Sequence, residues 1–215
     1  MMNVPSLLLF DLGGVLIDSS VFQHLNRLLD KPLETSALKA RWLSSQSVRQ
    51  FESGAMTAHE FAESFIAEWG LRQRPNAFLR AFASWPRYFH PGAREVLGLL
   101  RTRCKIACLS NSNPLHHQRF AGFADVFDLA LFSHQLGMVK PDPEIFAVAL
   151  RECGVEAAEV YFFDDCLFNV YAAQSLGMSA FHVDGFDALL AVLSRQGLLP
   201  GNRAVNPDFE VLENG

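Results

Sequence analysis

Five short, nearly unbroken apolar runs constrain this chain most: SLLLF at 6–10, KIACLS at 105–110, LALFS at 129–133, VYFF at 160–163 and SAFHV at 179–183. A strand with one wet face alternates apolar and polar residues, so continuous runs of this length suit strands covered on both faces, as in a parallel sheet. The segments between several of them read as helices. PDPEIFAVALREC places Asp142 at an N-cap and Pro143 at the first helical position, where the amide that proline lacks would be orphaned anyway. LFNVYAAQSLG closes on Gly177, which takes the left-handed conformation after a helix at little cost. The alternation predicts βαβ units wound right-handedly into an open α/β sheet. A chain of 215 residues, 50% hydrophobic, is long enough for one large domain or a domain with an insertion.

Residues 19–88 break the alternation. They show helical periodicity and no convincing strand: Phe22, Leu25 and Leu29 share a face, and TAHEFAESFIAEW opens with a Thr57…Glu60 capping box before setting Phe61, Phe65 and Trp69 one turn apart. The expected organisation is a core from residues 1–18 and 89–200, a helical insertion over 19–88, and an irregular tail over 201–215.

The net charge of −5, with no basic run, argues against a nucleic-acid partner. The start MMNVPSLLLF lacks a basic leader and is too short to span a bilayer. Cys104, Cys108, Cys153 and Cys166 are scattered, without a CxxC pair. Together these predict a cytoplasmic protein with reduced thiols and no membrane partner.

Open α/β sheets bind ligands outside the carboxyl ends of their strands. Asp11 follows the first run, in LLLFDLGGVLID; Ser110 and Asn111 follow the second, in LSNSN; Lys140 lies in GMVKPDPEIF; Asp164 and Asp165 end the fourth, in FFDDCLFN, with Asn169 one turn on. Each alone has an ordinary explanation as a turn residue, a helix cap or a solvated lysine. Converging at one sheet edge, three carboxylates repel one another and need a cation to gather them. A hard divalent ion with oxygen ligands does so, and Mg²⁺ usually brings phosphate with it. A carboxylate left as nucleophile can then take a phosphoryl group, while Lys140 neutralises the phosphoryl oxygens and Ser110 and Asn111 hydrogen-bond them.

The order D…S…K…DD, in FDLGGVLID, LSNSN, GMVKPDP and FFDDCLFN, resembles the haloacid dehalogenase-like hydrolase superfamily; LSNSNPLHHQRF and LFSHQLGMVKPDPEIF look closest to its sugar-phosphate phosphatases, glucose-1-phosphate phosphatases among them. The resemblance implies a Rossmann-like core with a small α-helical cap, and Mg²⁺-dependent hydrolysis of small phosphate monoesters through an aspartyl-phosphate. It implies Asp11 as nucleophile and metal ligand, the Gly13 carbonyl on the metal, Asp165 as a direct ligand, Asp164 as a second or water-mediated one, and Asn169 as support for that loop. It leaves open whether the chain is a monomer or a homodimer.

One position departs from the pattern. Most phosphatases of the superfamily carry a second Asp two residues after the nucleophile, as general acid; here it is Gly13, and a lost acid is worth about 10²–10⁴ in rate. The leaving group needs little help, as with a sugar 1-phosphate, or Asp18 or His116 substitutes, or the protein is a weak or inactive relative that binds phosphorylated ligands. A 2-haloacid dehalogenase is the same-fold rival, though a metal-free site has little reason to hold Asp164 and Asp165 beside Asp11. A receiver-type phosphoacceptor module carries its acid pair early in the chain, and here the pair comes last. Specificity is expected from the cap, through the turn RQFESGAMT with Glu52 and Gly54, and from His116. Arg87 and His90 read as structural, and Cys166 as packing, since a thiol is a poor Mg²⁺ donor.

Overall fold

A computed structural model describes residues 5–119 and 124–199. The expected irregular tail over 201–215 lies outside the described residues. Among the described residues the seven strands are β1 (Leu7–Phe10), β2 (Ile17–Ser19), β3 (Pro86–Phe89), β4 (Lys105–Ser110), β5 (Leu129–Phe132), β6 (Val160–Asp164) and β7 (Ser179–His182). Five form one parallel sheet in the order β5-β4-β1-β6-β7. Strand β1 is central and its four residues are fully buried, which is why its sequence shows no alternation. Leu8 and Phe10 face one apolar cluster with Ile106, Cys108 and Phe163, covered by helices Ala93–Arg101 and Phe186–Arg195. Leu7 and Leu9 face the other, with Ala107, Leu109 and Phe162, under helices Pro143–Cys153 and Leu167–Ser175. The chain runs from β1 outward through β4 to β5, then returns to β6 on the other side of β1. Strand order therefore reverses at β1, and the crevice at its carboxyl end is where such a sheet takes its ligand.

Between β2 and β3 lie five helices, Val21–Leu28, Thr35–Ser44, Gln46–Glu52, Ala58–Trp69 and Pro75–Phe82, packed around their own apolar cluster. Phe61, Phe65 and Trp69 are buried there, and Phe51 stacks on Phe61 with centroids 4.2 Å apart. The capping box forms: Thr57 Oγ1 accepts from the Glu60 amide and Glu60 Oε2 from the Thr57 amide.

The structure corrects the expectation of an all-helical stretch from 19 to 88. The chain leaves and re-enters the core through an antiparallel ribbon of β2 and β3, with Pro86, Arg87 and Tyr88 already in strand. Strands of three and four residues carry too little periodicity to be read. Arg87 pairs with Asp18 across this ribbon at 3.5 Å, and the Ser20 hydroxyl donates to the Trp85 carbonyl at 2.7 Å. His90 stacks on Phe186. Asp142 does occupy an N-cap position before Pro143, but its carboxylate pairs with Arg49 of the cap rather than with its own helix.

Candidate active site

A cavity of about 490 Å³ lies between the carboxyl end of the sheet and the helical segment. On its core side are Asp11, just past β1, Ser110 at the end of β4, Lys140 and Asp165; Asp164, the last residue of β6, is fully buried beside them. Carboxylate oxygens of Asp11, Asp164 and Asp165 lie within 4.8 Å of one another.

Lys140 is the buried cation of this group. Its ammonium donates to Asp11 Oδ1 at 2.8 Å and to Asp164 Oδ2 at 2.7 Å. Burial alone would lower its pKa, but the two carboxylates more than reverse this and hold it above the ordinary lysine value. Asp164 is saturated: Oδ1 accepts from the Cys166 amide at 2.8 Å, and Asn169 Nδ2 donates to Oδ1 and Oδ2 at 2.9 and 3.1 Å. Asn169 therefore supports the acidic loop through Asp164.

Burial raises the pKa of Asp11 above the usual carboxylate range; Lys140 opposes this, while Asp164 and Asp165 add to it. Asp165 is raised for the same reasons, burial first and then Asp164, with Lys39 and Lys140 opposing. Lys39, from the cap helix Thr35–Ser44, reaches Asp165 Oδ2 at 2.8 Å. Three carboxylates thus face two ammonium groups, leaving room for a further cation. The donors are all carboxylate oxygens, a set that suits a hard ion such as Mg²⁺ better than a soft one.

The two glycines after Asp11 differ. Gly14 has φ +77°, and a Cβ there would sit 2.8 Å from Asp165 Oδ2, so only glycine lets the backbone pass so close to that acid. Gly13 has no such requirement: a Cβ would meet only the Ser19 side chain, at 3.9 Å or more.

Several expected site residues have other partners. The amide of Asn111 clamps the backbone of Lys140, Nδ2 donating to its carbonyl at 2.9 Å and Oδ1 accepting from its N–H at 2.8 Å. Asn111 thus positions the lysine. His116 lines the cavity, but both ring nitrogens are engaged within the protein, with the Phe82 carbonyl at 2.9 Å and Asn113 Nδ2 at 3.1 Å. Nε2 must carry the proton it donates to that carbonyl, and Nδ1 must accept. Burial lowers its pKa to about 4, so it is a neutral structural ring rather than a substitute acid. Asp18 is tied to Arg87 and is absent from the cavity wall. Gly54 is likewise not in the wall: its φ is +73°, and a Cβ would lie 2.5 Å from the His134 carbonyl oxygen, so it lets the turn sit against the core. Glu52, two residues before it, does line the cavity. Cys166 is half-buried beside the acidic loop. Lys39 went unread in the sequence, because a lysine in ALKARWL looks like any solvated helical lysine.

The family model for haloacid dehalogenase-like hydrolases matches residues 5–177, and the chain belongs to that family. The phosphatase MT3486 of Mycobacterium tuberculosis is 28% identical over 193 residues, covering 83% of this chain and 87% of its own. The phosphoserine phosphatase of Thermus thermophilus is 31% identical over 190 residues, covering 82% and 71%. Among solved structures, a HAD-family enzyme of Bacteroides thetaiotaomicron in complex with magnesium and inorganic phosphate matches with a TM-score of 0.66 at 25% identity, covering 83% of this chain and 94% of that one.

Proposed function

We propose that this hydrolase is a Mg²⁺-dependent phosphatase of small phosphate monoesters, with Asp11 as nucleophile and sugar phosphates as the favoured substrate class. The observation that carries the reading is the buried ammonium of Lys140 held between Asp11 and Asp164, with Asp165 completing an all-oxygen cluster. Asp11 attacks phosphorus, the ester P–O bond breaks, and the leaving oxygen takes a proton to become the alcohol. Water then attacks phosphorus, loses a proton, and releases phosphate and the Asp11 carboxylate.

In this reading Lys140 neutralises the phosphoryl oxygens and the Ser110 hydroxyl hydrogen-bonds them. Asp11, the Gly13 carbonyl and Asp165 would hold Mg²⁺, with Asp164 acting through water because its own oxygens already accept four hydrogen bonds. The ion supplies charge neutralisation at the phosphoryl group. The cavity is of the size that takes a small ligand, and the cap forms the wall that faces the core residues. The preference for sugar phosphates rests on the resemblance of the LSNSN and GMVKPDP segments. We place the enzyme in the cytoplasm on its four unpaired cysteines; no helix among the described residues is long and apolar enough to cross a membrane.

The test is phosphate release from a panel of sugar phosphates, with Mg²⁺ and with EDTA, by wild type and Asp11→Asn. Mg²⁺-dependent release that the substitution abolishes is expected. Release indifferent to EDTA would refute the metal assignment, and release surviving in Asp11→Asn would refute the nucleophile.

A further inference from the structure

Expelling an alkoxide from a phosphate monoester needs a proton donor at the leaving oxygen, and the described residues of the core offer none that is free. Asp11 is the proposed nucleophile, Asp164 is saturated with donors, Asp165 is paired with Lys39, and Gly13 has no side chain. The ring of His116 is locked between Phe82 and Asn113. Two acids in the cavity wall remain among the described residues, Asp184 and Glu52, and Asp184 is exposed.

We propose that Glu52, carried by the cap, is the general acid that donates the proton to the leaving oxygen. The proposal rests on the phosphatase reading and adds to it the group that performs proton transfer. Glu52 becomes a carboxylate as the alcohol leaves and regains a proton from solvent before the next turnover, while the proton of the attacking water passes to solvent, so the cycle balances without another reactant.

The fold holds this residue firmly over the cavity. Glu52 is the last residue of helix Gln46–Glu52, whose first turn is capped from two sides: Ser45 Oγ accepts from the Val48 amide, and Glu68 accepts from the Gln46 and Ser47 amides. Arg49, on the same helix, pairs with Asp142 of the core. Past the helix, Gly54 lies against the backbone of His134. Helix and turn are therefore docked on the core at Arg49 and at Gly54, and the side chain of Glu52 lies in the wall of the cavity that Asp11 and Lys140 also line.

The environment favours the protonated form. Burial raises the Glu52 pKa to about 8; Lys140 opposes this, Asp11 adds to it, and a hydrogen bond from Trp42 opposes it. The carboxyl also sits at the C-terminal end of its helix, where the backbone dipoles disfavour an anion.

The experiment compares two esters. p-Nitrophenyl phosphate loses a phenolate that leaves without a proton, whereas glycerol phosphate loses an alkoxide that needs one. Phosphate release from both would be measured for wild type, Glu52→Gln, Gly13→Asp and the double variant, with circular dichroism to confirm folding. Glu52→Gln should slow the alkyl ester by about 10²-fold and leave the nitrophenyl ester unchanged. The double variant should recover alkyl activity, because the space at Gly13 admits a side chain. Equal losses on both esters, or an undiminished alkyl rate, would overturn the assignment of Glu52. Wild type that releases no phosphate from either ester would instead overturn the phosphatase reading, and this proposal with it.

Discussion

The core is packed mainly by Leu, Val, Ile and Phe on both faces of a parallel sheet, while the cap is held by rings: Phe51, Phe61, Phe65, Phe78, Phe82, Trp69 and Trp85 form one connected cluster. The chemistry divides along the same line. Core residues reach the site from strand ends, where backbone hydrogen bonds fix them: Asp11 donates its own amide to the Phe163 carbonyl at 2.8 Å, and Lys140 is clamped by Asn111. Cap residues reach it from helices attached by a short ribbon and a few polar contacts. On the proposed reading, binding of the phosphoryl group belongs to the rigid strand ends of the core, and handling of the leaving group to a residue that the cap brings over them.

The largest expected effect is on the rigid side. Asp11→Asn removes the proposed nucleophile and should lower phosphate release by at least about 10⁴-fold, with thermal unfolding little changed; a residual rate close to wild type would break the division at its base.

Next comes the ring cluster. Phe61 is buried and stacks on Phe51, so Phe61→Ala should cost about 3–5 kcal/mol of cap stability. Hydrogen exchange should show the loss confined to residues 21–82, and spread equally into the sheet it would mean that cap and core are one cooperative unit.

A third prediction concerns the seam. His116, on the core helix Pro114–Arg119, stacks on Phe82 of the cap and donates to its carbonyl. Its folded pKa, about 4, lies below the ordinary 6.5, so the unfolded chain binds the extra proton. The stabilisation is full above 6.5 and is lost as pH falls through 6.5 toward 4, by about 3 kcal/mol in the limit. Thermal melts across this range should show that fall in wild type and a shallower one in His116→Phe; identical profiles would refute it.

The smallest effect belongs to the outer latch. Arg49 and Asp142 are partly exposed, so Arg49→Ala should change stability by less than about 1 kcal/mol, measured by urea unfolding. A larger loss would show the cap more firmly fixed than its contacts suggest.

Legibility in the sequence followed the same boundary. Asp11, Lys140, Asp164 and Asp165 were readable because each sits at a fixed offset from an unbroken apolar run or a recognisable loop, and the sheet brings such ends together whatever the details. Ribbon β2–β3 was not, because its strands are too short to show a period. The clamp from Asn111 to Lys140 spans 29 positions and ends on backbone atoms, which carry no residue signature. Lys39 meets Asp165 only because helix Thr35–Ser44 folds over the site, and Gly54 and His116 turned out to serve the seam between cap and core. These depend on tertiary docking, on which local pattern is silent.

The central claim is that Asp11 attacks phosphorus and that water then attacks the same phosphorus atom. Turnover in heavy-oxygen water tests it directly, with mass spectrometry of both the released phosphate and the peptide containing Asp11. The account predicts the label in phosphate and none in Asp11. Label in the Asp11 carboxylate would mean that water attacks a carboxyl carbon, as in hydrolysis of an alkyl ester left by halide displacement, and would contradict it.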